Sequence, residues 1–131
     1  MAERLRVSDA VRALAQREAD ALVNELEGVT AAVVATADGF DVAACVRGSA
    51  EPARIAALAS SIAAIGQAVS AESGLGESRC VTINTTAGFA VVHAATRADI
   101  ALVVQIIASE RALVGAVTYR AAEAARRLIA A

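Results

Sequence analysis

Apolar side chains recur along this chain at two spacings, and the switches between them mark out eight elements. Val11, Leu14, Ala15, Leu22 and Leu26 fall on one side of a 3.6-residue period, which predicts a first helix. Ser8 stands where its cap belongs, Asp9 lies in its first turn, and Gly28 ends it, while Glu18 sits awkwardly inside the apolar side. From Thr30 short β-branched runs take over: Thr30–Thr36 and Phe40–Val46 flank Ala37-Asp38-Gly39, which reads as a hairpin around an Asp-Gly turn. Gly48 and Ser49 break the sheet, Pro52 opens a second helix where no amide hydrogen is needed, and Gly74-Leu75-Gly76 closes it. Ser78–Thr86 and Phe89–Ala95 form a second hairpin about Ala87-Gly88. Ile100–Ala108 makes a fifth strand, and a last helix runs from about Arg111 to Leu128.

The resulting order, α-β-β-α-β-β-β-α, predicts an α/β (α+β) fold with a five-stranded antiparallel sheet and helices on both faces. Ala31–Ala35 and Ala101–Val104 hardly alternate, so both of their faces are expected to be covered and both strands to be central. In the third strand Cys80, Thr82, Asn84 and Thr86 alternate with Val81, Ile83 and Thr85, a more polar pattern suited to an edge.

The middle helix carries the strongest signal. Between Arg54 and Glu72 there is no charged residue and no proline, and Ile55, Leu58, Ile62, Ile65 and Val69 recur at steps of three and four. Ala56, Ser60, Ala63, Ala64, Gln67, Ser70 and Ala71 fall opposite that stripe, where a surface helix would carry charges. The bulky stripe is expected to face the chain's own core and the small face to be buried a second time, against another copy. With Cys80, Thr82 and Asn84 of the edge strand, the small face makes an expected dimer interface with a sheet continuous across a two-fold axis. Arg47, Arg54 and Arg79 are candidates for a partner-binding rim.

Composition narrows the classes. The 131 residues suit one domain over 1–131, with residues 1–7 open to disorder, and 57% hydrophobic with 20% charged excludes a disordered tail. A net charge of -2, dispersed arginines and 2% aromatic residues argue against nucleic acid. Lysine is absent, which removes a P-loop or Schiff-base lysine. The leader has no apolar core, and Ile55–Ala71 is shorter and more polar than a spanning helix should be, so no membrane insertion is expected and the chain is placed in the cytoplasm. Without a signal peptide, Cys45 and Cys80 are read as reduced and buried.

From about Glu18 to Ala131 the chain resembles a Roadblock domain, the family of dynein light chains and of bacterial regulators of Ras-like GTPases. The resemblance is carried by Gly28-Val29-Thr30-Ala31-Ala32-Val33-Val34 running into Ala37-Asp38-Gly39-Phe40, by the long helix ending near Glu72, and by Thr82-Ile83-Asn84-Thr85 before Gly88-Phe89-Ala90-Val91-Val92. It implies a homodimer through the middle helix and third strand. It also implies a non-enzymatic role beside a small Ras-like GTPase, as regulator or scaffold. The alternatives are a structural adaptor of a motility or signalling complex, and a small Cys/His enzyme or ligand sensor. The Ala- and Arg-rich, Lys-free composition suits a GC-rich bacterial genome.

Catalytic signals are sparse, and no catalytic, cofactor or metal residue is assigned. His93 is the only histidine, on strand four beside Val91 and Val92, where a packed imidazole is the simpler account. A turn at Thr86-Ala87 would set Cys80 across from His93, so a Cys-His pair is conceivable, but no third orienting group is identifiable. Zinc on this pair with Cys45 has no CxxC spacing to support it. Gly74-Leu75-Gly76 follows a helix instead of opening one, so it reads as a C-cap and not a phosphate loop. Glu123, Arg126 and Arg127 read as the solvated face of the last helix.

Overall fold

Helix α1 (Asp9–Glu25) starts at Ser8, whose Oγ accepts a hydrogen bond from the Val11 amide at 3.2 Å, and the chain then leaves the helix at Leu26. This computed structural model describes residues 7–131. Residues 1–6 of the leader lie outside the described residues, whereas Val7, grouped with them in the sequence reading, is buried against the α1 side of the core. After α1 come β1 (Val29–Thr36), β2 (Asp41–Val46), α2 (Pro52–Glu72), β3 (Cys80–Asn84), β4 (Gly88–Thr96), β5 (Ala101–Ser109) and α3 (Val114–Ala130).

The five strands form one antiparallel sheet in the order β2-β1-β5-β4-β3. The expected order of elements therefore holds, with β1 and β5 internal and β3 at an edge. Three connections join neighbours, and α2 carries the chain from the β2 edge to the β3 edge. At the first hairpin the Thr36 amide donates to Phe40 O at 2.8 Å and the Phe40 amide to Thr36 Oγ1 at 3.0 Å. The second turns over Thr86-Ala87, with the Thr85 amide donating to Gly88 O at 2.9 Å, so Cys80 pairs with His93 as the two-residue loop predicted.

Side-chain alternation divides the interior into two unequal layers. Ala32, Val34, Val91, Val104 and Ile106 face α1 and α3, where Leu22, Val117 and Leu128 complete the larger core. Each of these Val, Leu and Ile side chains contributes about 1.5–3 kcal/mol by leaving water. Ala31, Val33, Ala35, Val92 and Val103 face the other way, toward α2 alone.

Glu18, the misfit in α1, has a partner. Its side chain is only 12% exposed and accepts a hydrogen bond from Arg127 of α3 at 3.0 Å, while Arg120 reaches Glu25 at 2.7 Å. Arg127 and Glu123 are thus part of a link between helices and not merely a solvated face. Ion pairs open to solvent on one side are screened by water and salt, so they orient α3 more than they hold it. The last helix begins later than predicted because Ala112 closes a turn onto Ser109 O before Leu113 caps it.

Gly28 sits where α1 hands over to β1, at φ +84, and a Cβ there would stand 2.5 Å from the Ala112 amide nitrogen. Gly28→Ala should destabilise the fold by about 1–3 kcal/mol in urea unfolding, since it adds a left-handed conformation to a backbone clash. An unchanged midpoint would contradict the close approach of the two turns.

Candidate functional site

The α2 sequence forms a helix because it is rich in Ala, opens on Pro52 and holds no interior proline, and Ser73 ends it with its amide near the Val69 and Ala71 carbonyls. At 21 residues it is long and apolar enough to cross a bilayer by length and composition, in contrast to the shorter stretch read from the sequence. Its orientation overturns the expected one. Ala56 and Ala59 have no exposed surface, Ala63 packs on the smaller core, and the bulky residues Leu58, Ile65 and Val69 are 55%, 64% and 56% exposed. Of the predicted core stripe only Ile55 is buried, with Ile62 part-buried.

Close approach decides which face goes inward. A Cβ on Gly66 would stand 2.7 Å from Val81 Cγ2 and 2.8 Å from Ser78 Oγ, so the helix lies against β3 at a distance that only a side chain of minimal size permits. Two polar side chains fix the same face. Ser60 Oγ donates to Ala37 O, and Gln67 exchanges hydrogen bonds with Ser78, its Nε2 donating to Ser78 O at 3.1 Å and its Oε1 accepting from the Ser78 amide at 3.3 Å. Those bonds also explain why β3 begins at Cys80 and not at Ser78.

The expected interface set therefore divides. Ala56, Ser60, Ala63 and Gln67 are engaged inside their own chain, and Ser70 is part-buried beside the 75–80 segment. Ala64 and Ala71 are exposed on a flank of the helix. Thr82 and Asn84 are exposed on the unpaired edge of β3, while Cys80 is part-buried against the larger core. The outward surface is instead Leu58, Ile65 and Val69, and with part-buried Ile62, which also packs on the smaller core, they are spaced 4-3-4 like the seam of a coiled coil.

Beside that stripe the sheet is incompletely covered. Ile83, Ala90, Ile107 and Ala31 stand in register across four strands, with Ile83 40% exposed. Gln105 lies one row away, between Val33 and Val92, and lines a cleft of about 240 Å³ with Thr85, Ala90 and Ile107. Its side chain is 5% exposed and its Oε1 has no hydrogen-bond partner. An unsatisfied buried carbonyl is costly, about 1–3 kcal/mol, so this side of the sheet is polar where it should be driest. The sequence reading missed Gln105, whose signal is a lone amide in Val103-Val104-Gln105-Ile106-Ile107.

The three rim arginines are not brought together. Arg47 donates to Asn24 Oδ1 of α1 at 3.0 Å on the β2 side, Arg79 precedes β3 at the far edge, and Arg54 is exposed in the first turn of α2. Cys45 on β2 and Cys80 on β3 lie on opposite edge strands, which removes the three-residue zinc arrangement. Among the described residues no three His, Cys, Asp or Glu side chains gather as metal ligands.

Cys80 and His93 are neighbours by register, yet the chemistry is unhelpful to a nucleophile. Burial pushes the Cys80 thiol above its ordinary value, outweighing the hydrogen bond with Thr82, and His93 Nδ1 donates to Ala94 O at 2.8 Å. An activated thiolate needs the opposite shift. Cys45 is likewise raised, by burial first and by the nearby Asp20 carboxylate second.

Against known proteins, residues 15–105 match the Roadblock/LC7 domain family. No curated protein matches. Among solved structures, the Roadblock/LC7 domain from Streptomyces avermitilis superposes with TM-score 0.77 at 19% identity, covering 86% of this chain and 92% of that one. The gliding protein MglB from Thermus thermophilus gives 0.80 at 17% identity over 95% and 94%, and Myxococcus xanthus MglB 0.73 at 13% over 93% and 94%. At these identities the likeness is one of fold.

The inward small face makes a direct prediction. Ala59→Leu should cost about 1–3 kcal/mol by overpacking against the sheet, whereas Ala64→Leu on the exposed flank should stay within about 0.5 kcal/mol. Chemical denaturation of the two variants side by side reads the direction of the helix, and the reverse ranking would restore the orientation expected from sequence.

Proposed function

The chain belongs to the Roadblock/LC7 domain family, and from that premise we propose that it is a non-enzymatic, homodimeric, cytoplasmic regulator or scaffold that binds a small Ras-like GTPase. The observation that carries the assembly part of this reading is the outward stripe Leu58, Ile65 and Val69, with part-buried Ile62 between them, on a helix with no charge between Arg54 and Glu72. Such a stripe is self-complementary, which suits the isologous contact of a two-fold dimer.

Magnitudes indicate what else the dimer needs. Burying the exposed part of three aliphatic side chains on each copy yields about 1 kcal/mol apiece, or roughly 6 kcal/mol in all. That is of the same order as the roughly 4–15 kcal/mol cost of association. The helix face therefore needs the neighbouring β3 edge, where Ile83 and the unpaired backbone of Cys80–Asn84 extend the surface. A sheet joined across β3 fits that requirement.

The GTPase part rests on the family and on the kind of protein the fold resembles, gliding protein MglB among them, one with a tetrameric arrangement. The mechanism consistent with the site is recognition without chemistry: the raised thiols and the scattered arginines supply no activated nucleophile and no clustered cationic site. A regulator of this sort works by binding one state of a partner's switch segments better than the other.

Capture from the source cell with tagged protein, in the presence of a non-hydrolysable GTP analogue or GDP, is expected to enrich a small GTPase in one arm. Recovery of other proteins from both arms without a GTPase would shift the reading to a structural adaptor. For the assembly, Ile65→Glu should give a monomer by light scattering with an unchanged far-ultraviolet spectrum, because the charge is tolerated in water and not in a dry seam. A variant that stays dimeric would place the interface elsewhere.

A further inference from the structure

The two charges that bound α2 both stand at the wrong end of the helix. Arg54 is its third residue and Glu72 its last, so a cation lies beside the positive N-terminal pole and an anion beside the negative C-terminal pole. Neither side chain has a hydrogen bond or ion pair among the described residues, although Glu51 is only three positions from Arg54. Both are exposed, and their 18-residue separation is about five turns, which puts them on one line of the helix about 27 Å apart. Ile65 falls within about 20° of that line and Leu58 within about 40°, so the charges flank the apolar stripe.

We infer that Arg54 and Glu72 form a reciprocal charge clasp between two copies of this chain whose α2 helices lie antiparallel, and that the clasp sets the orientation and register of the dimer. The inference rests on the dimer reading above. The positions share nearly one centre. A two-fold axis passing between Ala63 and Ala64 sets Leu58 against the second copy's Val69 and Ile62 against its Ile65, and the same axis brings Arg54 within reach of the second copy's Glu72. Antiparallel alignment also lays the negative pole of one helix beside the positive pole of the other. The charges that oppose their own helix thus complement its neighbour. A parallel pair would set Arg54 against Arg54 and Glu72 against Glu72, and a one-heptad slip would leave both charges unmatched while keeping apolar contact. End charges of this kind select among arrangements that the stripe alone would accept.

Exchange of charge tests this on the full chain. Arg54→Glu and Glu72→Arg should each weaken the homodimer about tenfold or more in Kd, because each turns both clasps into like-charge contacts. Mixed together, the two variants should pair with one another in preference to themselves, since one clasp is then native and the other restored in reversed sense, and the double variant R54E/E72R, with both clasps reversed, should regain a homodimer. Sedimentation of the separate and mixed variants, at low and high salt, reads all four cases, with the difference between them shrinking in salt. Statistical mixing with unchanged homodimer affinities would overturn the clasp while leaving the dimer intact. A wild-type chain that stays monomeric at every concentration would overturn the clasp and the dimer together.

Discussion

How near the α2 backbone can come to the sheet sets most of what is distinctive here. Ala56, Ala59, Ala63 and Gly66 form a face with almost no side-chain thickness, and the Gly66 position has no room for a Cβ against Val81 and Ser78. Dispersion falls off steeply with separation, so a thin face that seats closely recovers in contacts what it lacks in area. The consequence is geometrical. Once the thin face is inward, Leu58, Ile65 and Val69 have nowhere to go but out. Ser60 on Ala37 and Gln67 on Ser78 then anchor the helix at two points, near the β1–β2 turn and at the entry to β3, so it spans the sheet from one edge to the other.

The two sides of the sheet share the labour unequally. Toward α1 and α3 the interior is dry and bulky, with Leu22, Leu102, Ile106 and Leu128 fully buried, and Glu18–Arg127 and Glu25–Arg120 align the helices above it. Toward α2 a single narrow helix leaves Ile83 exposed, Ile107 part-covered and the Gln105 carbonyl without a partner. A fold secured on its first side can leave the second unfinished, and an unfinished apolar surface is where association is productive. The layer that holds the fold together is thus separate from the surface that is left open.

Much of this was legible in the sequence, for reasons that also mark where legibility ended. Hairpin pairing followed from local signals: Asp38-Gly39 and the two-residue Thr86-Ala87 loop fix their hairpins, and from the second the Cys80–His93 register follows by counting, whereas the β1–β5 pairing has no local signal. The unalternating runs in β1 and β5 placed those strands inside because only doubly covered strands can omit polar positions. The direction of α2 could not be read this way. Periodicity reports that a helix has two faces but not which one points inward, and the assumption that bulk marks the core fails when the partner is a flat sheet that rewards close approach. Ser60 and Gln67 looked available because their partners, Ala37 and Ser78, are carbonyls and amides whose freedom no sequence pattern reveals. Glu18 looked misplaced because its partner Arg127 lies 109 positions away.

An apolar 21-residue helix with no charge between Arg54 and Glu72 invites comparison with a membrane segment, and the contacts of α2 argue for a protein surface as its complement. Drawing the helix into a bilayer would strip Ala31, Val33 and Val103 of their cover and break the bonds at Ala37 and Ser78, whereas a second protein surface covers Leu58, Ile65 and Val69 and leaves the interior intact. A helix lying flat on a membrane keeps a basic face in water, but here the face opposite the stripe is already against the sheet and the chain carries a net charge of -2. Hydrocarbon also has no use for direction. Arg54 and Glu72, set against the poles of their own helix, distinguish one end of the stripe from the other, and a partner of defined polarity is the kind that can respond to the difference.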